Sequence, residues 1–386
     1  MDGPTPLQMT RSQRRRIPTG LIGALAMIAI IESFIARHPR QFSSPTYIEW
    51  EHGVRAIKRD AAKAKILCLG DSLVKNGLSP AAIEAQTGRP SYNLAVSGGQ
   101  PLATYTMLRR ALDAGIKPEA VVVDFKWTAL QHDYNLNRSI WPALLRPSDA
   151  IELSRSLNTC SIFGEVLTGQ LFPSVRGRFE VRSYVLGALR GQDMSTPIPE
   201  FDMCRKSWKV NHGAMLRQPH PLITVEPDPA NTMFFPTAWS VHPVNAKYID
   251  KFFKLAKESK IKVFLTVMPV SPKVLGIREQ IGAETPYTEF LTKLHVHYPE
   301  VVVIDARGAG FPNESFFDST HLNYIGAEVL SHTIGGIVRD RLDRDAGIVG
   351  QNDSWVSLPS YPKGQVAVRD FQQLSEKDRS QKGLRR

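Results

Sequence analysis

The strongest constraint on this chain is a rhythm. Five short, largely apolar runs recur, and stretches of helical spacing separate them. Lys65–Leu69 leads into Gly70, Asp71 and Ser72, with a helical stretch beginning near Ala81. Tyr92–Val96 leads into Ser97, Gly98 and Gly99, and a helix is expected from Pro101 to Leu112. Ala120–Phe125 is uncharged until Asp124. Ile261–Val267 follows a helical repeat over Ala246–Glu258, and Val301–Ile304 lies between helical stretches at Thr288–His297 and Tyr324–Leu342. Runs that are apolar at successive positions suit strands buried on both faces. Strands alternating with helices predict an α/β fold with a doubly wound, mostly parallel five-stranded sheet.

The interval 130–242 breaks the rhythm. It holds Pro142, Pro147, Pro173, Pro197, Pro199, Pro219, Pro221, Pro227, Pro229 and Pro236, and three of the six tryptophans. It reads as an irregular insertion after the third strand, leaving the sheet at the carboxyl edge where open α/β sheets bind ligands. A cap or substrate-binding subdomain is the preferred reading, and a packing flange is the alternative.

Near the start, Arg11, Arg14, Arg15 and Arg16 precede an uncharged run from Ile17 to Ile31, then Glu32 and an apolar end at Ala36. The 20 residues 17–36 span about 30 Å as a helix, which matches a bilayer's hydrocarbon thickness. Glu32 falls near the far interface, where water can solvate it. Phe34, Ile35 and Ala36 make a poor cleavage site, so an uncleaved anchor is expected, with a cleaved signal or a buried soluble helix as alternatives. Arginines ahead of the run keep the N-terminus cytosolic and export the rest. The expected organisation is therefore a basic N-terminus (1–16), a single-pass transmembrane anchor in the cytoplasmic (inner) membrane (17–36), a juxtamembrane linker (37–64), an extracytoplasmic catalytic domain (65–343) and a polar, disordered tail (344–386).

Composition removes other classes. The 48 Lys and Arg against 37 Asp and Glu leave a net charge of +11, but much of the excess lies in arginine clusters near the ends, which argues against nucleic acid as a partner. The three cysteines form no CxxC pair or Cys/His cluster, so no metal and no cofactor is expected. Cys160 and Cys204 are candidates for one disulfide after export, whereas Cys68 falls in a core strand.

The chemistry concentrates at strand ends. Ser72, after the first strand, is presented at the carboxyl edge of the sheet, although a serine there also reads as a helix cap. Asp318, Ser319, Thr320 and His321 follow the fifth strand, and the fold brings their loop to the same edge. His321 then serves as base for a Ser72 nucleophile, and Asp318 orients the imidazole across three residues. The backbone N–H groups of Ser72 and Gly98 are the natural oxyanion donors, glycine allowing close backbone approach. His242, His295 and His297 read as surface residues.

The order Gly70-Asp71-Ser72-Leu73, then Asn93 with Ser97-Gly98, then Asp318-x-x-His321 resembles the SGNH/GDSL hydrolase superfamily over residues 65 to about 340. That resemblance implies a flavodoxin-like fold and a serine esterase acting through an acyl-enzyme. In that family the third strand ends in Gly-x-Asn-Asp, whose asparagine is an oxyanion donor. Here the stretch is Val123–Ala129, where Thr128 holds the place by counting, with the Lys126 ammonium as another substitute. The anchor, the altered third block and the ending Asp318-x-x-His321 are similar to the membrane-tethered branch related to alginate O-acetylation and teichoic acid D-alanyl transfer. The branch implies an acyl, chiefly acetyl, ester of an exported or cell-envelope polysaccharide as substrate, and a membrane-bound acyl-donor protein as a possible partner. Three outcomes stay open: hydrolysis, transfer to a glycan hydroxyl, and a catalytically silent glycan-binding or scaffold protein.

Overall fold

The apolar runs become the strands of one parallel sheet in the computed structural model, which describes residues 19–194, 199–219, 235, 238–343 and 354–361. The strands are β1 (Ile66–Leu69), β2 (Ser91–Asn93), β3 (Ala120–Val123), β4 (Lys262–Val267), β5 (Val302–Asp305) and β6 (Trp355–Ser357), in the spatial order β2-β1-β3-β4-β5-β6. Every neighbouring pair is parallel. All residues of β1 and β3 are buried, because helices cover both faces. Leu67, Leu69, Val121, Val123, Val263 and Leu265 pack with the helices Pro45–Ile57, Pro101–Asp113, Pro243–Glu258 and Glu284–His297. Ile66, Cys68, Ala120, Val122, Phe264 and Ile304 pack with Ser72–Gly77, Pro80–Thr87 and Tyr324–Asp343. The alternation is the doubly wound arrangement expected from strands with two buried faces.

The path from β1 runs outward to β2, then returns across β1 to β3. Strand order therefore reverses at the β1/β3 crevice, where open α/β sheets accommodate ligands. The loops carrying Ser72 and Thr128 both leave the sheet there.

Four expectations need correction. The sheet has six strands rather than five, since Val303, Ile304 and Asp305 pair with Trp355, Val356 and Ser357. Part of the segment expected to be a polar tail thus covers the outer edge of β5, whose N–H and C=O groups would otherwise lack partners. A three-residue strand in polar surroundings is too short to give a period. The remaining tail, 344–353 and 362–386, and the arginines of residues 1–18 lie outside the described residues.

The stretch 37–64 is no linker. Ser44 caps the helix Pro45–Ile57 by accepting from the Tyr47 N–H at 3.2 Å. That helix buries Tyr47, Trp50, Ala56 and Ile57, and the Trp50 indole N–H donates to the Ser97 carbonyl at 2.9 Å. Interspersed Glu49, Glu51 and Arg55 obscure its apolar face in the sequence.

The described part of the insertion is largely helical rather than irregular. It contains the helices Trp141–Leu144, Pro147–Leu157, Ser161–Leu171, Pro173–Arg176, Arg178–Leu189 and Pro199–Val210. Pro142, Pro147, Pro173 and Pro199 sit in first turns, where the missing N–H has no intrahelical partner to lose. Residues 195–198, 220–234, 236 and 237, with Pro197, Pro221, Pro227, Pro229 and Pro236, lie outside the described residues. Finally, Cys68, Cys160 and Cys204 form no disulfide, Cys68 and Cys204 being buried and Cys160 exposed, so the candidate bridge between Cys160 and Cys204 is not formed.

At the N-terminal end, Thr19–Arg37 is one helix, and its Gly20–Arg37 portion is long and apolar enough to cross a membrane. Leu21, Leu25, Ile28 and Ile31 are exposed along it. Glu32, half-buried, is held as well: its carboxylate accepts from the Ser174 N–H at 2.9 Å and from the Ser174 hydroxyl.

Candidate active site

Gly70 ends β1 with φ +139°, and a Cβ there would sit 2.7 Å from the Asp124 carbonyl and 2.9 Å from a Val74 methyl. Only glycine lets the ends of β1 and β3 come this close. The chain then turns into the helix Ser72–Gly77, whose first N–H groups are tied by Asp71: its carboxylate accepts from the Leu73 N–H at 2.8 Å. Ser72 occupies the first helical position, where an N–H has no intrahelical acceptor. Asn93, the asparagine of the second sequence block, holds this helix from below. Its amide donates to the Val74 and Leu78 carbonyls at 2.9 and 3.2 Å, and its oxygen accepts from the Ala95 N–H at 3.0 Å.

The histidine loop is fixed by a similar device. Phe316 and Leu322 form an antiparallel bridge across its neck, and the Phe317 N–H donates to the His321 carbonyl at 2.8 Å. Asn323 donates to the Glu314 and Phe316 carbonyls at 2.6 and 3.3 Å and accepts from the Ile325 and Gly326 N–H groups at 3.0 and 3.2 Å. One buried asparagine thus clamps the serine helix and another clamps the loop to the helix Tyr324–Asp343.

Between these supports the three expected side chains meet. Ser72 Oγ lies 2.8 Å from His321 Nε2, and His321 Nδ1 lies 2.7 Å from Asp318 Oδ2. Asp318 Oδ1 also accepts from the N–H groups of Thr320 and His321, each at 2.8 Å, and from the Thr320 hydroxyl at 3.1 Å. Burial alone would raise the Asp318 carboxyl. The imidazole hydrogen bond and charge, with the two backbone donors, outweigh it and hold the group well below the usual carboxylate range. An ionised Asp318 can only accept, so Nδ1 carries the imidazole proton and Nε2 presents its lone pair to Ser72.

The oxyanion candidates differ in standing. Gly98 has φ +70°, a conformation costly for any residue with a side chain, and Asn137 of the insertion donates to its carbonyl at 2.8 Å. Its N–H has no acceptor among the described residues. Thr128 is buried in the helix Trp127–Gln131 at the end of β3, on the expected edge, but among the described residues its hydroxyl makes no hydrogen bond to Ser72 or His321. Lys126 precedes that helix, and its charge acts on Asp71 and Asp124. Half-buried His295 lies against Trp355 and bonds the Ser354 hydroxyl at 3.0 Å, while His242 caps the helix Pro243–Glu258.

A feature the sequence reading missed lies beneath the serine. Asp71 and Asp124 are 1 % and 3 % exposed, and one oxygen of each is buried with no hydrogen-bond partner. Burial raises both carboxyls; Asp71 adds to the rise at Asp124, which sits well above the usual range, while Lys126 offsets part of it at each. The signal was an aspartate at the end of both β1 and β3, but only the pairing of those strands makes the two neighbours.

A model of an uncharacterised family matches residues 237–343, the stretch from before β4 to the end of the helix Tyr324–Asp343, which contains Asp318 and His321 but not Ser72. A search of curated proteins found no match to the chain.

Proposed function

We propose that this chain is a membrane-anchored, extracytoplasmic serine esterase of the SGNH/GDSL type, acting on acyl, chiefly acetyl, esters of a cell-envelope or exported polysaccharide. The observation that carries the reading is the continuous hydrogen-bonded line Ser72–His321–Asp318. The strand order 2-1-3-4-5, with β6 added at the edge, supports a flavodoxin-like fold. The helix Gly20–Arg37 supports the anchor, and the arginines before it support export of the domain.

In this mechanism Ser72 Oγ attacks the ester carbonyl as its proton passes to His321 Nε2, and Asp318 stabilises the imidazolium. The N–H groups of Ser72 and Gly98 receive the developing oxyanion. Collapse breaks the bond from the acyl carbon to the sugar oxygen, which takes the proton from Nε2 to leave as a hydroxyl, and an acyl-Ser72 remains. Water, activated by the same imidazole, then releases the acid. A glycan hydroxyl in place of that water makes the enzyme an O-acyltransferase supplied by a membrane-bound acyl-donor protein, and attachment at the membrane surface favours that second reading.

Turnover of small acetyl esters by the full chain in detergent, with and without a sugar acceptor, tests the proposal. Acid release that requires Ser72 supports hydrolysis, and acyl-sugar formed at the expense of acid supports transfer. No turnover and no covalent serine labelling favours a silent glycan-binding module.

A further inference from the structure

The insertion carries a second exposed apolar surface whose position relative to the anchor is fixed. Leu171 (61 %), Phe179 (62 %) and Leu189 (79 %) are its most exposed members, with Phe172, Val175 and Leu186 between them. Within the helix Arg178–Leu189, Phe179, Arg182, Leu186 and Leu189 recur at helical spacing, and Arg182 and Arg190 are exposed beside the apolar residues. This patch belongs to the same body as the anchor. Glu32 of the anchor helix accepts two hydrogen bonds from Ser174, and Arg176 donates to Tyr47 Oη at 2.8 Å while lying 4.0 Å from the Tyr47 ring. Gly177 packs so closely on Phe42 that a Cβ there would lie 2.0 Å from the Phe42 carbonyl, and Tyr184 meets the Phe42 ring at 4.7 Å.

We infer that the face formed by Ser161–Leu171, Pro173–Arg176 and Arg178–Leu189 docks on the surface of the same lipid bilayer that the anchor crosses. This inference rests on the anchor reading. Three observations select lipid as the occupant. First, the patch is continuous with the end of the anchor: Glu32 lies five residues before Arg37, about 8 Å along a helix, so Ser174 and its neighbours sit at the depth to which an interfacial helix buries its apolar face. Second, phenylalanine and leucine are exposed on the same face as arginines, whose long stems reach past the apolar side chains toward phosphates. Third, a cleft of about 810 Å³ opens beside the patch, lined by Leu136, Val175 and Phe179 together with Arg138, Arg176 and Arg178. Arg138 is paired with Glu165, but Arg178 is exposed, lying 4.8 Å from the Phe179 ring, and Arg176 Nε is buried without a partner. An apolar wall meeting guanidinium groups suits an anionic lipid headgroup with its first methylenes.

Docking at two places holds the domain at one height and orientation. The Ser72 edge, connected to the insertion through Asn137 and Gly98, then faces a polymer passing along the membrane surface rather than sweeping freely about a single tether.

The test uses the full chain with the exposed Cys160 replaced by serine, in vesicles of phosphatidylethanolamine and phosphatidylglycerol. A fluorophore sensitive to polarity is attached to Leu189→Cys, to Leu25→Cys in the anchor, or to Val296→Cys, an exposed position on the helix Glu284–His297. The docking surface predicts quenching by shallow brominated lipids at position 189 and by deeply brominated lipids at position 25, near the middle of the 17–36 span, but by neither at 296. Adding Arg178→Glu and Arg182→Glu is expected to weaken quenching at 189 by about twofold or more while leaving 25 unchanged. Quenching at 25 with position 189 as exposed as 296 overturns the docking inference and leaves the anchor standing. Loss at both positions overturns both. Shielding of 189 in native membranes but not in lipid vesicles also overturns it, in favour of a membrane protein as occupant.

Discussion

Ser72 Oγ and His321 Nε2 are 2.8 Å apart although 249 positions separate the two residues in the chain. Each comes from a segment clamped by its own buried asparagine, so the contact is built in before substrate arrives. Ser72→Ala and His321→Ala are each expected to reduce acetyl-ester turnover to the level left by the oxyanion donors and binding alone. The double variant should lose little more, because members of such a line act as a unit. Steady-state kinetics of the three proteins checks this. Additive losses would mean that the two side chains do not act on one proton.

Asp318→Asn should be milder than either, with kcat down by about 10⁴-fold. The serine and imidazole remain, but an amide facing Nδ1 no longer dictates the tautomer. The same carboxyl has a stability effect of opposite character at low pH. Because the fold holds it below its unfolded value, it stabilises the native state above about pH 4, and that contribution is lost as pH falls further. Acid titration of thermal unfolding should therefore show a shallower decline in the Asp318→Asn protein.

The buried pair under the serine gives the reverse sign. Asp124 is raised well above the usual carboxylate range, so its proton favours the folded state at low pH and stability is lost as pH rises from about 4 toward the folded value. Asp124→Asn removes that titration and the charge that Asp71 would otherwise face. It is expected to raise stability at neutral pH, seen as a higher Tm, and to flatten the pH profile above pH 4. Calorimetry across pH decides it, and a loss of stability at neutral pH would contradict the assignment.

Much of this arrangement was legible in the sequence. The runs at β1, β3, β4 and β5 are apolar at successive positions, and that pattern fixes a sheet covered on both sides. Once the strands are parallel, the loops after β1 and β5 share an edge, so the meeting of Ser72 with Asp318 and His321 follows from topology. What was hidden has physical causes. Charged residues at Glu49, Glu51 and Arg55 masked the helix around Trp50. Prolines at 142, 147, 173 and 199 looked like breakers because first-turn proline and loop proline are alike in sequence. The Asp71 and Asp124 pair emerges only once β1 is known to lie beside β3, since neither residue marks the other along the chain.

Two substitutions separate the oxyanion donors. Gly98→Ala forces an unfavourable φ and pushes a methyl to 3.4 Å from Asn137 Oδ1, so the Gly98 N–H should lose its aim and kcat should fall by about tenfold or more. Thr128→Ala should cost about tenfold if its hydroxyl swings onto the oxyanion in the complex. No change in kcat would leave the role to the two backbone donors. Far-ultraviolet circular dichroism of both variants checks that the fold is intact.

The most direct measurement of the central claim is covalent labelling of the full chain by a fluorophosphonate, followed by mass spectrometry of the modified peptide. The account predicts one phosphonylated residue, Ser72, with labelling abolished in Ser72→Ala and strongly slowed in His321→Ala. A folded parent protein that takes no label, or a Ser72→Ala protein that labels as fast as the parent, would contradict it.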